Sequence, residues 1–205
     1  MRLFFCFVLI LFVFKLQAQN IDIKILERIN LSRNRDLDQT FQLFSNSVNA
    51  VTITTPLIVY SAGLIGKNKD IKSKGMVMIQ SILVSTIISK PMKYIISRER
   101  PFVTYPELEK LSDGGSPSFP SGHTEAAFAT ATSLSLAFPK WYVIAPSYIW
   151  AGAVGYSRMH LGVHYPSDVL AGAIIGSASS YMTYRANKWL QGRKKKNIDN
   201  SDFKR

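Results

Sequence analysis

Cysteine is almost absent from this 205-residue chain, with Cys6 the single one. An intrachain disulfide is excluded, and so is a metal cluster built on cysteines. Acidic side chains are also scarce: 13 against 25 lysines and arginines, for a formal net charge of +12. So basic a balance admits nucleic acid, anionic lipid headgroups or anionic substrates as partners. The aromatic-and-basic interleave of single-strand binders is missing. The hydrophobic residues, 47% of the chain, fall in blocks too long and uniform for a soluble DNA-binding domain of this size. Nucleic acid therefore drops out, and the lipid bilayer remains. No linker or internal repeat divides the chain, whose length fits one domain.

The N-terminus reads as a targeting segment. Arg2 supplies a positive start, Leu3 to Phe14 an apolar run, and Leu16-Gln17-Ala18-Gln19 a cleavage-like region. That run is shorter than the ~20 residues a membrane span needs. Residues 1–19 are thus read as a signal peptide, with an uncleaved anchor as the alternative. Residues 20–49 carry apolar positions at helical spacing among charges. They suit an amphipathic helix on the membrane surface or an ordinary packed helix.

Five apolar blocks with few charges follow: Val48 to Gly66, Gly75 to Ser89, Thr124 to Phe138, Trp141 to Tyr156 and Val169 to Tyr184. Each approaches the length needed to cross ~30 Å of hydrocarbon. Their glycines and alanines suit close helix packing in lipid. The expected fold is all-α, a polytopic bundle of about five transmembrane helices spanning residues 20–190. Lys67, Lys69, Lys72 and Lys74 lie between the first two blocks, and Arg185, Lys188 and Arg193 to Lys196 follow the last. The positive-inside rule puts both groups in the cytoplasm. The loops Pro91 to Gly122 and Ser157 to Asp168 then lie outside. Residues 191–205 read as a basic, disordered cytoplasmic tail.

Those two outer loops hold the chemistry. Lys93, Arg100 and Arg158 are cations on a face where the positive-inside rule predicts few. Three cations can neutralise a phosphoryl group and its transition state, arginine gripping it bidentately. Ser121-Gly122-His123 opens an apolar block. Ser121 suits an N-cap, and the free N–H groups of a helix start bind anions. His164 and Asp168, four apart, can pair so that the carboxylate holds one ring nitrogen and frees the other as a nucleophile. His164 is then assigned the attack on phosphorus. His123 is assigned the proton for the leaving alkoxide, and later the activation of water. His160, His164 and Asp168 superficially suit zinc, but no glutamate fills the H-E-x-x-H pattern, and Gly162 and Pro166 interrupt a continuous helix. No metal and no cofactor is expected, and His160 reads as a loop side chain lining the site.

These residues resemble the type 2 phosphatidic acid phosphatase (PAP2) superfamily. Its three motifs, K-x6-R-P, P-S-G-H and S-R-x5-H-x3-D, stand here as Lys93 with Arg100-Pro101, as Pro120-Ser121-Gly122-His123, and as Ser157-Arg158 with His164 and Asp168. The resemblance implies that Lys93, Arg100, Ser121, Gly122 and Arg158 bind phosphate. It makes His123 the acid, His164 the nucleophile and Asp168 its partner, and leaves Ser157 without a role. It implies a phosphatase of the bacterial inner membrane, acting on a lipid phosphate monoester or pyrophosphate from the periplasmic side. The alternatives are a phosphatase for small soluble esters, a haloperoxidase, and a non-enzymatic transporter or scaffold.

Overall fold

The computed structural model describes the backbone of residues 21–202 and the side chains of residues 21–193, so the signal peptide expected at residues 1–19 lies outside the described residues. Residues 21–30 form helix α1. After a 3-10 turn at Arg35–Leu37 come α2 (Asp38–Ile65), α3 (Lys69–Ile96), the single turn α4 (Pro101–Thr104), α5 (Gly122–Ala137), α6 (Trp141–His160) and α7 (Pro166–Asp202). No strand occurs among the described residues. Each of the five apolar blocks lies on one of the long helices α2, α3, α5, α6 and α7.

The bundle is inverted relative to a water-soluble one. Hydroxyls are fully buried at Ser81, Ser85, Thr124, Ser157 and Ser180, while Ile58 (66% exposed), Ile87 (69%), Ile149 (70%) and Ile174 (58%) face outward. Soluble monomers do not expose apolar surface on this scale. Lipid, by contrast, welcomes it, and leaves polar groups to be satisfied between helices.

Helix α5 is the centre, packed against α2, α3, α6 and α7. Its Ala127, Ala129 and Ala131 are buried, and its Thr130 and Ser133 hydroxyls bond back to carbonyls of their own helix. Helix α7 closes on it through Gly172 and Gly176. A Cβ at Gly172 would lie 2.6 Å from the Ser121 carbonyl, and one at Gly176 2.3 Å from the Glu125 carbonyl. These small residues also dilute hydropathy. Among the described residues only Arg35–Ile65 and Lys69–Thr104 are long and apolar enough to cross a membrane by themselves, with mean hydropathy 1.5 and 1.3. The other three long helices fall short of that measure on their own. With 16 residues, α5 reaches only ~24 Å at 1.5 Å per residue, and its neighbours surround it.

Two sequence expectations change here. The chain stays helical past Gln191 to Asp202, where disorder was expected; its Arg193 and Lys194 to Lys196 are good helix formers. The choice left open for residues 20–49 resolves towards packing. Leu26 and Asn30 of α1 are fully buried, and Ile23 and Leu26 pack on Leu108 and Tyr165.

The connections fix which side chains meet. Asn68 caps α3, its Oδ1 accepting from the backbone N–H groups of Asp70 (3.0 Å) and Ile71 (3.1 Å). The α6–α7 turn pivots on Gly162, whose φ of +70° suits glycine and whose Cα faces the Glu109 carbonyl so closely that a Cβ would sit 2.3 Å from it. Pro166 opens α7, as the sequence predicts. Gln191 donates to Ser73 at 3.1 Å and Asn187 to Gln80 at 2.9 Å, which sets the late turns of α7 beside the start of α3. The basic residues of the α2–α3 connection and of late α7 therefore share one end of the bundle.

Candidate active site

The opposite end gathers the motif residues: the last turns of α3 and α6, the first turns of α5 and α7, and the loops 97–121 and 161–165. His164 sits in the tight turn between α6 and α7, 1% exposed. Its Nε2 lies 3.2 Å from Arg100 Nη1. A guanidinium can only donate, so Nε2 carries the lone pair and the ring proton sits on Nδ1. Nδ1 faces Asp168 Oδ2 at 3.5 Å and Ser118 Oγ at 3.4 Å. Burial, helped by the nearby Arg100 and Arg158 and opposed by Asp168, holds the His164 pKa down at about 3. The ring is neutral at neutral pH.

The expected His164–Asp168 pair is brought together, but 3.5 Å is long for a hydrogen bond. Ser118 stands between them, donating to Asp168 Oδ2 at 2.5 Å. The fully buried carboxylate is otherwise saturated. Oδ2 also accepts the Tyr165 backbone N–H (3.0 Å), and Oδ1 accepts Arg98 Nη1 (2.8 Å). Arg98 in turn stacks on the Tyr165 ring, 3.8 Å from its centroid.

The three predicted cations converge beside His164. Arg100 is fixed by the carbonyls of Ser116 (2.8 Å, from Nε) and Val163 (2.9 Å, from Nη1). Lys93 Nζ donates to the carbonyls of Pro117 (3.0 Å) and Pro120 (2.7 Å). Arg158, 1% exposed, donates from Nη1 to Ser45 and to Ser112 Oγ (3.2 Å). Its buried Nε has no acceptor among the described residues. His123 stands half-buried in the first turn of α5, in the field of the same three cations. Gly122 lies against Lys93, a Cβ there falling 3.7 Å from Lys93 Cε.

Other assignments shift. Ser121 occupies the N-cap position of α5, yet its side chain makes no capping bond. It accepts from Thr124 Oγ1 at 2.9 Å instead, and its backbone N–H donates to the Asp168 carbonyl at 3.0 Å. The α5 start is thus left open to a ligand and tied to α7. Ser157 is buried and bonds back to the Val154 carbonyl at 2.7 Å, so its hydroxyl serves α6. His160 is no loop residue lining the site. It ends α6, its Nε2 sits 2.7 Å from Asp38 Oδ1, and its ring packs on Phe41 at 4.4 Å.

Sequence reasoning missed Arg98, Ser118, Glu125 and Asp22. Arg98 is a further cation on the face that the positive-inside rule leaves poor in them, and that signal could have found it. Glu125, a lone acid in an apolar block, was equally visible. It is 3% exposed, bonded to Ser85 and, at 2.9 Å, to Ser89 of α3. Nothing local marks Ser118 or Asp22.

Comparison with known proteins shows the family. The profile of the PAP2 superfamily matches residues 74–191. The undecaprenyl-diphosphatase of Sulfolobus acidocaldarius is 34% identical over 119 residues, 56% of either chain. The lipid A 4'-phosphatase of Bacteroides thetaiotaomicron is 39% identical over 71 residues, 35% of this chain and 32% of its own. The chain thus spans about half the length, or less, of these two curated relatives. Among solved structures, Aquifex aeolicus LpxE superposes with a TM-score of 0.69 at 27% identity, over 80% of this chain and 95% of that one. A transmembrane PAP2-type phosphatidylglycerolphosphate phosphatase of Bacillus subtilis superposes at 0.70 and 25%, over 84% and 87%. With more than half of its length matched, and with Lys93, Arg100, His123, Arg158 and His164 drawn to one end of the bundle, the chain belongs to the PAP2 superfamily.

Proposed function

We propose that this protein hydrolyses a phosphate monoester or pyrophosphate on a membrane lipid, through a phosphohistidine and without a metal. The observation that carries the reading is His164 itself. Its Nε2 lone pair faces Arg100, and its Nδ1–H is backed by Asp168 and Ser118. A neutral, oriented imidazole beside clustered cations is equipped to attack phosphorus. Nε2 forms the N–P bond as the P–O bond to the lipid breaks. Lys93, Arg100, Arg158 and the open N–H groups of α5 hold the phosphoryl oxygens. His123 gives its proton to the departing oxygen. Asp168 stabilises the imidazolium side of the intermediate, as in the Ser-His-Asp arrangement. Water, deprotonated by His123, then attacks phosphorus, releasing inorganic phosphate and restoring His164.

The outward isoleucines support a lipid setting, and the relatives' names support a lipid phosphate. We place the chain in the bacterial inner membrane with five crossings, the basic end cytoplasmic and the site end periplasmic. A site at the lipid–water boundary meets headgroups directly, which favours lipid over small soluble esters. The test is phosphate release from a panel of purified lipid phosphates with EDTA present. Turnover is expected to survive EDTA and to vanish in His164→Ala. Full activity in that variant would end the proposal, and inhibition by EDTA would end its metal-free form. Turnover of a soluble ester alone, with none on lipid, would favour the second reading.

A further inference from the structure

Helix α1 lies outside the residues that the PAP2 profile matches, yet one of its side chains reaches the catalytic carboxylate through a single intermediary. Asp22 is 6% exposed. Its Oδ2 accepts Arg98 Nη2 at 2.7 Å and Ser167 Oγ at 2.5 Å, while its Oδ1 accepts the Ser167 backbone N–H at 2.8 Å. Arg98 Nη1 then donates to Ser167 Oγ at 2.7 Å and to Asp168 Oδ1 at 2.8 Å. Asp168, through Ser118, backs the ring of His164.

We infer that Asp22 is a positioning residue for phosphoryl transfer, acting through Arg98 and Ser167 on Asp168 and so on the nucleophile. Three features support this. Asp22 holds the Ser167 N–H in the first turn of α7, one residue from Asp168, so it fixes the backbone that carries the carboxylate. It balances the charge of Arg98, which would otherwise fall wholly on Asp168 and weaken that carboxylate's hold on a developing imidazolium. Its own helix is anchored a second time at the far end of the same turn. Asn30 Nδ2 donates to the carbonyls of His160 (2.9 Å) and Glu109 (3.1 Å), and Asn30 Oδ1 accepts the Glu109 N–H (2.9 Å). Helix α1 thereby clamps both ends of the segment that holds His164. Asp22 does not reach the phosphate cations Lys93 and Arg158, so its loss should slow the chemical step and spare substrate binding.

The inference rests on the phosphatase reading, and the experiment separates the two. Full-length protein is assayed in mixed micelles with phosphatidic acid and with an isoprenyl diphosphate, and compared with Asp22→Asn, Arg98→Gln and the double variant. Loss of a charged, buried hydrogen-bond partner of this kind costs roughly ten- to a hundredfold in rate. A fall of that size in kcat is expected for Asp22→Asn, with KM within about threefold of the parent. The double variant should be no slower than the slower single one, because both act on one carboxylate. A merely structural role would instead show as a lower melting temperature and a smaller active fraction, with kcat per folded molecule unchanged; independent action of the two residues would multiply their losses. If Asp22→Asn does not fold, the kcat-against-KM split in Arg98→Gln decides in its place. A parent chain inert to both substrates would remove the phosphatase reading and this inference with it. An active parent whose Asp22→Asn or Arg98→Gln variant keeps full kcat, or a double variant with multiplied losses, would overturn this inference alone.

Discussion

At the scale of single residues, the charge state of His164 has a consequence for stability. The folded chain holds its pKa at about 3, chiefly by burial, whereas an unfolded chain returns it to about 6.5. As pH falls from about 6.5 towards 3, the unfolded state takes up a proton that the folded state refuses, so stability drops through that window and is flat above it. The slope is on the order of 1 kcal/mol per pH unit. Melting temperatures in detergent should therefore fall more steeply between pH 7 and pH 5 for the parent than for His164→Asn. Parallel curves would mean the ring is protonated in the fold. The residues of the proposed site were legible as a group because their types and spacings are tied to chemistry: a phosphate needs cations, and a nucleophilic imidazole needs a partner. Asp22 and Ser118 were not, because each meets side chains far away in sequence that no spacing reveals. Ser118 is 50 positions from the carboxylate it bonds, and Asp22 is 145 from Ser167.

At the scale of elements, the register of α5 between α3 and α7 decides whether the site assembles. Helix α5 brings Gly122 and His123, α3 brings Lys93, and α7 brings Asp168. The α5–α7 approach depends on Gly176, where an added Cβ would lie 2.3 Å from the Glu125 carbonyl and 2.8 Å from the Ala129 nitrogen. Neither is a flexible side chain that can step aside. Gly176→Leu should push the helices apart and destabilise the fold by about 1–3 kcal/mol, as overpacking does. Gly152→Leu, at a position with nothing within 4 Å, should leave the melting temperature nearly unchanged. Thermal unfolding of the two variants side by side makes the comparison, and equal melting temperatures would contradict this packing. The five helices were legible from apolar blocks, and the small residues announced close packing. Their inequality was not. Whether a block faces lipid or its neighbours depends on tertiary placement, and α5, rich in Ala, Ser and Thr, hides a polar interior that hydropathy alone reads as a weak span.

For the whole molecule, charge and chemistry sort to opposite ends. The site end gathers Lys93, Arg98, Arg100 and Arg158, all held by carbonyls, hydroxyls or carboxylates. The other end carries exposed lysines such as Lys67 and Lys69 and the Lys74–Asp70 pair at 2.8 Å. These four are bound in place and drop out of a positive-inside count of free loop charge, while exposed Lys24, Lys90 and Lys110 towards the same end stay in it. The proposed orientation follows, and labelling can test it. In a Cys6→Ser background, a cysteine at Glu107 on the site-end loop should react in intact cells with a membrane-impermeant maleimide. A cysteine at Lys69 should react only after the membrane is opened. Both positions are exposed, so failure to react reports sidedness and not burial. The reverse pattern would put the site in the cytoplasm and remove lipids of the outer leaflet from its reach. Labelling of both in intact cells would mean that α2 and α3 do not join opposite faces of a membrane, and the five-crossing arrangement would fall with them.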